Sequence, residues 1–457
     1  MKFTVEELRA ATGAQVKGNL DGEYEISTDT RTIKARDIYL PLKGASFDGE
    51  NFCDKAIEAG AAGCFCTKDD CPSDFSMKVS DTLTAYLNIA NYARKKYNPI
   101  VIGITGSSGK TTTKEMVYSV VAEKFRTHKT YSNHNNEIGF CQTVLSMPED
   151  TQVLIVEMGM RGVGEIELIT KYAEPDYAII TNVGSAHIGR LGSLDNIAKA
   201  KCEITKYLKK ALIANNNDRI KKFANFSGEK VFYSIKDVKI LEKRTGYSKF
   251  VYKDKDKEYE LNVEGDYNIE NSLSAIEIGY MLGMSYDEIR QGLSKYHPIE
   301  KRWESQNVAG FNIINDSYNA NPESMKASVS TFIELYPNPV VILGNMGELG
   351  ENEIEFHREV GEFIGKKFKG KDVKFLTVGN LAEYIGEELS KYGFDVMHFE
   401  DNIATSRYIL DNLNAGITIF LKASRSMKFE EIIENLKGDE KSPDNEIKNN
   451  KEVVKEG

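Results

Sequence analysis

Short apolar runs alternate with amphipathic helical patterns along most of the chain. In the middle third the runs are IVIGIT (100–105), VLIVEM (153–158), YAIITNV (177–183) and ALIAN (211–215). Apolar runs without polar alternation are typical of strands that are buried on both faces of a parallel sheet. We therefore predict an α/β fold in which helices connect the strands of a mostly parallel central sheet.

The last third of the chain repeats this pattern. Its apolar runs are FNIINDS (311–317), VVILG (340–344), KFLTVG (374–379), DVMHF (395–399) and ITIFLKAS (417–424), and Pro322 can open a helix. Strands and helices in this order predict a second, Rossmann-like domain. Between the two blocks, KFVYKDKDKEYELNV (249–263) predicts an antiparallel hairpin with a charged turn.

The start of the chain predicts a smaller mixed unit. A helix should begin at Thr4, and DIYLPL (37–42) and GCFCT (63–67) should form short strands. Asn98-Pro99 ends this unit, because the residue before a proline is disfavoured in a helix. We predict domains at 1–97, 98–300 and 301–436, followed by a solvated tail at 437–457 that is rich in Lys, Glu, Asp and Asn.

The strongest local signal is GITGSSGKTTTKEM (103–116), which stands between an apolar strand and an amphipathic helix. Small residues let backbone N–H groups approach a triphosphate, Lys110 can reach the outer phosphates, and the Thr111 hydroxyl can bind Mg²⁺. The spacing is unusual, since five residues rather than four separate Gly103 from Gly109. The alternative is a glycine-rich turn that binds nothing. We assign nucleotide binding to Gly106, Ser107, Ser108, Gly109, Lys110, Thr111 and Thr112.

Polar side chains at the ends of the predicted strands are the next candidates, because ligands bind beyond the carboxyl ends of parallel strands. Glu157 follows an apolar strand that we expect one strand away from the phosphate loop, where its carboxylate can bind Mg²⁺. It could instead pair with Arg161. His187 follows the next strand on a glycine-rich loop and is a candidate metal ligand, although a lone histidine is often structural or exposed.

Lys201 stands in the middle of an apolar helical stripe formed by Leu194, Ile197, Ile204 and Leu208. An inward lysine must pair, extend its ammonium to solvent at the helix edge, or lose its charge. The sharper hypothesis is that a partly neutral Lys201 amine reacts with CO₂. The resulting carbamate would offer oxygen to a second Mg²⁺.

Three clustered cysteines, Cys64, Cys66 and Cys71, suggest a metal site at first sight. The spacing C-x-C-x₄-C lacks a fourth spaced ligand and a nearby histidine, so we predict buried cysteines on a strand instead. Six cysteines in 457 residues do not form a disulfide framework, which favours a cytoplasmic protein with reduced thiols.

Composition and charge restrict the function further. The chain carries 59 Lys and Arg against 69 Asp and Glu, a net charge of −10, so we expect no nucleic-acid partner. Its start, MKFTVEELRA, lacks the basic and apolar regions of a signal peptide, and its apolar runs are too short to span a bilayer. We therefore expect no membrane insertion, and phosphate binding has to come from local residues.

Taken together, ten segments in chain order resemble the Mur ligases. They are STDTRTIKARDIYLPLKGASFDGENF (27–52), TGSSGKTTTKEM (105–116), YSNHNNEIGF (131–140), VEMG (156–159), NVGSAHIGRLGS (182–193), AKCEI (200–204), GDYNIENSLSA (265–275), KRWE (301–304), NDSYNANPESMKAS (315–328) and LKASRSMKFE (421–430). The resemblance spans roughly residues 25–430. It implies a three-domain architecture with a central P-loop ATPase domain, and its last two motifs favour the family member that adds a dipeptide.

The resemblance also implies a reaction and its components. ATP, with two Mg²⁺ ions, would activate UDP-N-acetylmuramoyl-tripeptide, and D-alanyl-D-alanine would be the amine, in a monomeric cytoplasmic enzyme. The implied catalytic residues are Lys110, Glu157, His187, Lys201 and Arg302. The implied metal ligands are Thr111, Glu157, His187 and carbamylated Lys201.

Further contacts are implied by motif. Asn268, Arg302, Asp316 and Asn319 resemble ATP contacts, although NDSYNANP is also what a strand, an asparagine-rich turn and a Pro-started helix look like. The implied substrate contacts are Thr28, Arg31, Lys43, Gly44, Asn135 and Asn136. The family usually has a histidine where Glu50 stands, so no contact is assigned at residue 50.

Three alternatives remain open. A sibling ligase could add another residue to a UDP-muramoyl peptide, and a folate polyglutamate ligase could share the central fold, although it would not need the N-terminal domain. A non-catalytic nucleotide-binding paralogue is the third. The presence of Lys110, Glu157, His187 and Lys201 argues against it.

Overall fold

The computed structural model describes residues 1–44, 46–299 and 301–440, of which it describes the side chains up to residue 438. Three α/β units follow one another along this part of the chain, each built around its own main sheet. The domain boundaries predicted from the sequence remain our proposal. No helix among the described residues is long and apolar enough to cross a membrane.

The N-terminal unit is a five-stranded sheet of order β2-β7-β6-β5-β4, in which β2 alone is antiparallel to its neighbour, with a separate β1-β3 pair. Thr4 caps the first helix as predicted, in a reciprocal capping box with Glu7. The elements are β1 (Phe3–Thr4), α1 (Val5–Thr12), β2 (Gln15–Lys17), β3 (Glu23–Tyr24), β4 (Ile26–Ser27), β5 (Ile38–Tyr39), α2 (Cys53–Glu58), β6 (Gly63–Cys66), β7 (Ser76–Lys78) and α3 (Thr82–Tyr97).

Cys64 and Cys66 lie on β6 and are buried, as the sequence predicted. Cys53 and Cys71 pack in the same apolar cluster, so a fourth cysteine does lie near the three that the sequence groups. All six cysteines of the chain are free thiols.

The central unit is a six-stranded, all-parallel sheet of order β13-β12-β11-β8-β10-β9. The four predicted strands are present, whereas the edge strands β9 and β13 carry too little apolar pattern to be predicted. The elements are β8 (Ile100–Thr105), α4 (Lys110–Val121), β9 (Thr127–Lys129), α5 (Glu137–Leu145), β10 (Val153–Glu157), α6 (Glu165–Ala173), β11 (Tyr177–Ile180), α7 (Ile188–Leu191), α8 (Leu194–Cys202), β12 (Ala211–Asn215), α9 (Asp218–Phe223), β13 (Glu229–Tyr233), β14 (Val238–Arg244), β15 (Tyr247–Tyr252), β16 (Glu258–Leu261), α10 (Asp266–Met281) and α11 (Tyr286–Ser294). The predicted hairpin is β15-β16, and β14 adds a third antiparallel strand to it.

The C-terminal unit is a six-stranded sheet of order β17-β18-β22-β19-β20-β21, parallel except for the polar edge strand β17, which the sequence analysis missed. Its elements are β17 (Glu304–Val308), β18 (Phe311–Asn315), α12 (Pro322–Leu335), β19 (Val340–Gly344), α13 (Glu353–Phe368), β20 (Lys374–Val378), α14 (Ala382–Ser390), β21 (Asp395–Phe399), α15 (Asn402–Asn412), β22 (Thr418–Lys422) and α16 (Glu430–Glu440). Helix α16 continues past the predicted tail start at 437 to Glu440. Residues 441–457 lie outside the described residues, so the solvated tail stays a prediction.

Trp303 joins the central and C-terminal units. Its ring lies 6.0 Å from that of Tyr267 on α10 and 5.3 Å from that of Phe420 on β22, measured between ring centroids. The indole is 5% exposed. The single tryptophan of the chain is therefore a junction residue, which the sequence could not distinguish from a core residue.

Candidate active site

The phosphate loop follows β8 and leads into α4, as the sequence predicted. Gly109 has φ +78°, a backbone conformation that favours glycine. A Cβ atom on Gly106 would lie 1.8 Å from Oγ1 of Thr181, so only glycine lets the loop approach β11 this closely. Both glycines are required by this loop conformation, which leaves the loop's N–H groups free of bulky side chains.

A cleft of about 1120 Å³ opens at the carboxyl ends of the central strands and is walled on its far side by the C-terminal unit. Most of the predicted site residues line it: Ser107, Ser108, Gly109, Lys110, Thr111, Thr112, Asn135, Asn136, Glu157, His187, Asn268, Arg302, Asp316 and Asn319. Gly106 and Lys201, both in the central unit, are not among the residues that line the cleft. The four predicted uridine contacts, Thr28, Arg31, Lys43 and Gly44, are not part of it and belong to the N-terminal unit.

Lys110 begins α4, and its Nζ donates a hydrogen bond to the carbonyl of Gly106 at 2.8 Å. The pKa of Lys110 is lowered overall, mainly by burial. The charge of Glu157 opposes this effect, and the charge of Arg302 adds to it. Both charges therefore act on the lysine ammonium from the walls of the same cleft. An anion entering the loop would find the lysine and the arginine together.

Glu157 ends β10 and is 2% exposed. Its Oε1 accepts hydrogen bonds from the hydroxyl of Thr111 at 3.2 Å and from Nδ2 of Asn135 at 3.0 Å. Its Oε2 lies 3.5 Å from Nζ of Lys114, which is also buried. The predicted pair Thr111–Glu157 is thus in contact, and the cation beside Glu157 is Lys114 rather than Arg161.

His187 lies on the loop between β11 and α7, with a left-handed φ of +66°. Its Nδ1 lies 2.5 Å from Oε2 of Glu348, a residue of the C-terminal unit. The histidine is therefore neither isolated nor freely exposed. The sequence offered no signal for Glu348, because the two residues are 161 positions apart.

Lys201 is 1% exposed on α8, in the apolar stripe that the sequence predicted. Burial, followed by the charge of Lys110, lowers the pKa of Lys201 well below its ordinary value. The alternative in which the lysine extends to solvent at a helix edge is therefore wrong. The side chain is held in an environment that favours the neutral amine.

Asp316 and Asn319 follow β18 and line the cleft, while Asn321 caps the Pro322-started helix through Ser324. The motif NDSYNANP thus forms the strand end, turn and helix start that the alternative described. Its residues also form part of the cleft wall. The guanidinium of Arg302 stacks 4.0 Å above the ring of Tyr318. Asn268 is buried, and its Nδ2 donates to the carbonyl of Glu264 at 2.7 Å.

The structure adds Lys422 to the predicted residues. It ends the apolar strand β22, lines the cleft, and its Nζ donates to Oδ2 of Asp316 at 2.6 Å. A charged residue that closes an apolar strand is the same signal that identified Glu157, so the sequence could have predicted it. Glu323 of α12 also lines the cleft.

Of the predicted uridine contacts, Arg31 and Lys43 are exposed, and Thr28 and Gly44 are half-buried. Arg31 pairs with Asp29, at 2.6 Å between Nη2 and Oδ2, and the hydrogen bonds from this arginine hold the pKa of Asp29 at about 2. Lys43 forms an isolated backbone bridge with Asp48, and the Gly44 N–H donates to the carbonyl of Phe47. Their substrate roles remain predictions.

An all-parallel sheet whose phosphate loop faces a second α/β unit across the cleft defines a P-loop nucleotide-binding protein of the multi-domain kind. Comparison with known proteins specifies the class further: this chain belongs to the Mur ligase family. Residues 104–279 match the Mur ligase middle domain, and residues 301–425 match the Mur ligase, glutamate ligase domain. The resemblance seen in the sequence and the predicted α/β architecture are confirmed.

Relatives resemble the chain over nearly its full length. UDP-N-acetylmuramoyl-tripeptide–D-alanyl-D-alanine ligase of Bacillus subtilis (strain 168) is 36% identical over 446 residues, which cover 92% of this chain and 96% of that protein. A crystal structure of MurF from Acinetobacter baumannii superposes with a TM-score of 0.88 at 26% identity, and the match covers 96% of this chain and 99% of that one. The crystal structure of MurF ligase from Thermotoga maritima in complex with ADP has a TM-score of 0.80 at 25% identity, and the match covers 91% of this chain and 97% of that one.

Proposed function

We propose that this chain is an ATP-dependent ligase that joins D-alanyl-D-alanine to the terminal carboxylate of UDP-N-acetylmuramoyl-tripeptide. The observation that carries the proposal is the shared cleft, in which the phosphate loop and Glu157 face Asp316 and Lys422 of the C-terminal unit. The names of the relatives specify the two substrates, and the ADP complex specifies the nucleotide. ADP, phosphate and the UDP-muramoyl-pentapeptide are the products.

The chemistry takes two steps. An oxygen of the tripeptide carboxylate attacks the γ-phosphorus of ATP, the bond to the β,γ-bridging oxygen breaks, and ADP leaves behind an acyl phosphate. The neutral amine of D-alanyl-D-alanine then attacks the acyl carbon, loses its proton, and expels phosphate. Both reactants of the first step are anions, so cationic groups such as Lys110 and Arg302 are needed beside the phosphates.

The residues present fit a magnesium ion. Thr111 and Glu157 offer hard oxygen donors in contact with each other, and Oε2 of Glu157 is buried without a hydrogen-bond partner, 3.5 Å from the Lys114 ammonium. Among the described residues, no three His, Cys, Asp or Glu side chains form a metal-binding group, so phosphate oxygens would have to complete the coordination. Bound Mg²⁺ would supply positive charge at the transferring phosphoryl group.

His187 stays the proposed ligand of a second ion. The carbamate on Lys201 has no support from the relatives and remains a prediction from the sequence; what favours it is the burial that keeps the amine neutral. The uridine contacts, the cytoplasmic location and the monomeric state also belong to the proposal.

Phosphate release measured with ATP, Mg²⁺ and UDP-N-acetylmuramoyl-tripeptide tests the function against each candidate amine. We expect turnover with D-alanyl-D-alanine and little with single D-amino acids, and liquid chromatography should identify the pentapeptide product. The opposite preference would favour a sibling ligase. Turnover of a folate with glutamate would favour the folate enzyme, and no turnover with any pair would favour the non-catalytic paralogue.

A further inference from the structure

The segment 182–189, which follows β11 and carries His187, is bound on one side to the phosphate loop. The hydroxyl of Ser107 donates to the carbonyl of Gly184 at 3.0 Å, and the N–H of Gly184 donates back to that hydroxyl at 2.9 Å. The N–H of Ser108 donates to Oδ1 of Asn182 at 2.9 Å. Any movement of the phosphate loop must therefore move this segment or break these bonds.

On its other side the same segment is bound to the C-terminal unit. The N–H and the hydroxyl of Ser185 both donate to the carboxylate of Glu323, each at 2.9 Å. Nδ1 of His187 lies 2.5 Å from Oε2 of Glu348, and the N–H of Gly189 donates to the carbonyl of Glu348 at 3.2 Å. Two carboxylates thus hold one short segment at two points.

The backbones also meet closely at the end of the segment. A Cβ atom on Gly189 would lie 2.4 Å from the backbone nitrogen of Gly350, and one on Gly350 would lie 2.6 Å from Cα of Gly189. Glycine at both positions lets the two units touch without intervening side chains. This contact sets how closely the C-terminal unit can approach the segment.

We propose that Glu323 and Glu348 are positioning residues that dock the C-terminal unit onto the segment 182–189 and so link its position to the phosphate loop. The inference rests on the proposed function, because it gives the docked position a use: Asp316 and Lys422 reach the nucleotide cleft only from that unit. No step of the chemistry passes through either carboxylate.

The strength of these contacts suits a reversible interface. Both glutamates are exposed, and the side chain of Glu348 is 41% exposed. Ion pairs and hydrogen bonds in such places contribute little each, so the docked unit can separate for substrate entry and product release. A buried pair of the same geometry would be too costly to break in each cycle.

The test compares Glu323→Ala and Glu348→Ala with Glu359→Ala. Glu359 is a matched control, because its carboxylate contacts Lys326 of the same C-terminal unit, at 2.5 Å from Nζ. Small-angle scattering of the full chain with a non-hydrolysable ATP analogue and Mg²⁺ measures docking. We expect a larger radius of gyration for both test variants than for the wild type, and none of this increase for Glu359→Ala.

Kinetics give a second readout. We expect kcat to fall roughly 5- to 20-fold in both test variants and the KM for ATP to rise, because Asp316 and Asn319, the proposed ATP contacts, reach the cleft only from the docked unit. The melting temperatures of all three variants should agree, so that unfolding does not explain the effect. Ser185→Ala combined with Glu323→Ala should cost no more than Glu323→Ala alone.

Unchanged radii and unchanged kcat in the two test variants overturn the inference, even if the wild type proves to be the proposed ligase. A wild type without ligase activity overturns the proposed function instead. In that case the scattering comparison still decides about docking, since it needs only the nucleotide analogue.

Discussion

Nζ of Lys422 lies 2.6 Å from Oδ2 of Asp316, and the lysine side chain is 3% exposed while the aspartate side chain is 15% exposed. The same ammonium also approaches the backbone carbonyls of Asp316 and Asn319, at 3.3 and 3.4 Å. A buried ammonium thus holds the turn after β18 against the end of β22. This turn carries the carboxylate that the sequence assigned to nucleotide binding.

Lys422→Met should destabilise the C-terminal unit by about 3 kcal/mol, because it leaves the Asp316 carboxylate without its partner. Methionine fills a similar volume, so a cavity is not the cause. Scanning calorimetry should show a lower melting temperature for the transition of this unit. The second change Asp316→Asn should restore most of the stability while ATP-dependent phosphate release stays low. If the double variant is as unstable as Lys422→Met, the charge is not the cause.

Lys110→Ala should lower kcat about 100- to 1000-fold, since it removes a donor from the place where charge develops during phosphoryl transfer. Phosphate release with saturating substrates measures this. Lys124→Ala is the matched control, because this lysine lies beyond the C-terminal end of α4, where its Nζ donates to the carbonyl of Gly283. Equal activity of the two variants would contradict the role of Lys110.

The sequence predicted the parts of the molecule in which one local pattern determines the structure. β8 and β12 have the predicted bounds because buried parallel strands require unbroken apolar runs. The phosphate loop was equally visible, since its glycines, Lys110 and Thr111 are adjacent in the chain. Lys201 was placed inward from its helical spacing alone.

The remaining features depend on contacts between distant residues. The edge strand β17 is polar and pairs only on one side, so its pattern does not differ from that of a loop. The pairing of His187 with Glu348 crosses two units, and no local spacing encodes it. The uridine contacts were assigned by resemblance only, and they do not line the cleft, so they stay predictions.

Glu157→Gln should raise the Mg²⁺ concentration needed for half-maximal activity roughly tenfold or more, because a neutral amide oxygen is a weaker ligand than a carboxylate. The amide can keep the hydrogen bond from Thr111, and the buried Lys114 keeps the carboxylate of Glu115 3.4 Å from its Nζ, so the fold should be retained. A titration of phosphate release with MgCl₂ measures the shift, and EDTA should stop the wild type. An unchanged Mg²⁺ requirement would show that Glu157 does not bind the ion.

Lys201→Ala should lose most activity, and short-chain carboxylates should restore part of it if a carbamate oxygen is what the site uses. The carbamate forms when the neutral amine adds to the carbon of CO₂ and releases a proton, and burial of Lys201 favours that neutral form. Propylamine is the control, since it replaces the amine and not the carboxylate. Rescue by propylamine alone, or full activity without any additive, refutes the carbamate.

Glu174 joins the N-terminal and central units at the end of α6. Its carboxylate lies 2.7 Å from Nη2 of Arg94 and 3.0 Å from Nζ of Lys95, both on α3, and 3.2 Å from Nζ of Lys209. Burial alone would raise the pKa of Glu174, but the contacts with Lys95, Asn91 and Arg94 outweigh it and hold the pKa at about 2, against an ordinary value of 4.5.

The lowered pKa of the Glu174 carboxylate stabilises the fold at pH values above its pKa in the unfolded chain. This stabilisation is lost as the pH falls from about 4.5 to about 2. Glu174→Gln should therefore cost about 2 kcal/mol at pH 6, after allowance for solvent screening, and almost nothing near pH 2. Melting temperatures of the wild type and the variant should converge across this interval. Glu167→Gln is the matched control, because its exposed pair with Lys206 stays within the central unit and should change stability by less than about 0.5 kcal/mol at either pH. Parallel curves for wild type and Glu174→Gln would mean that the charge of Glu174 does not hold the two units together.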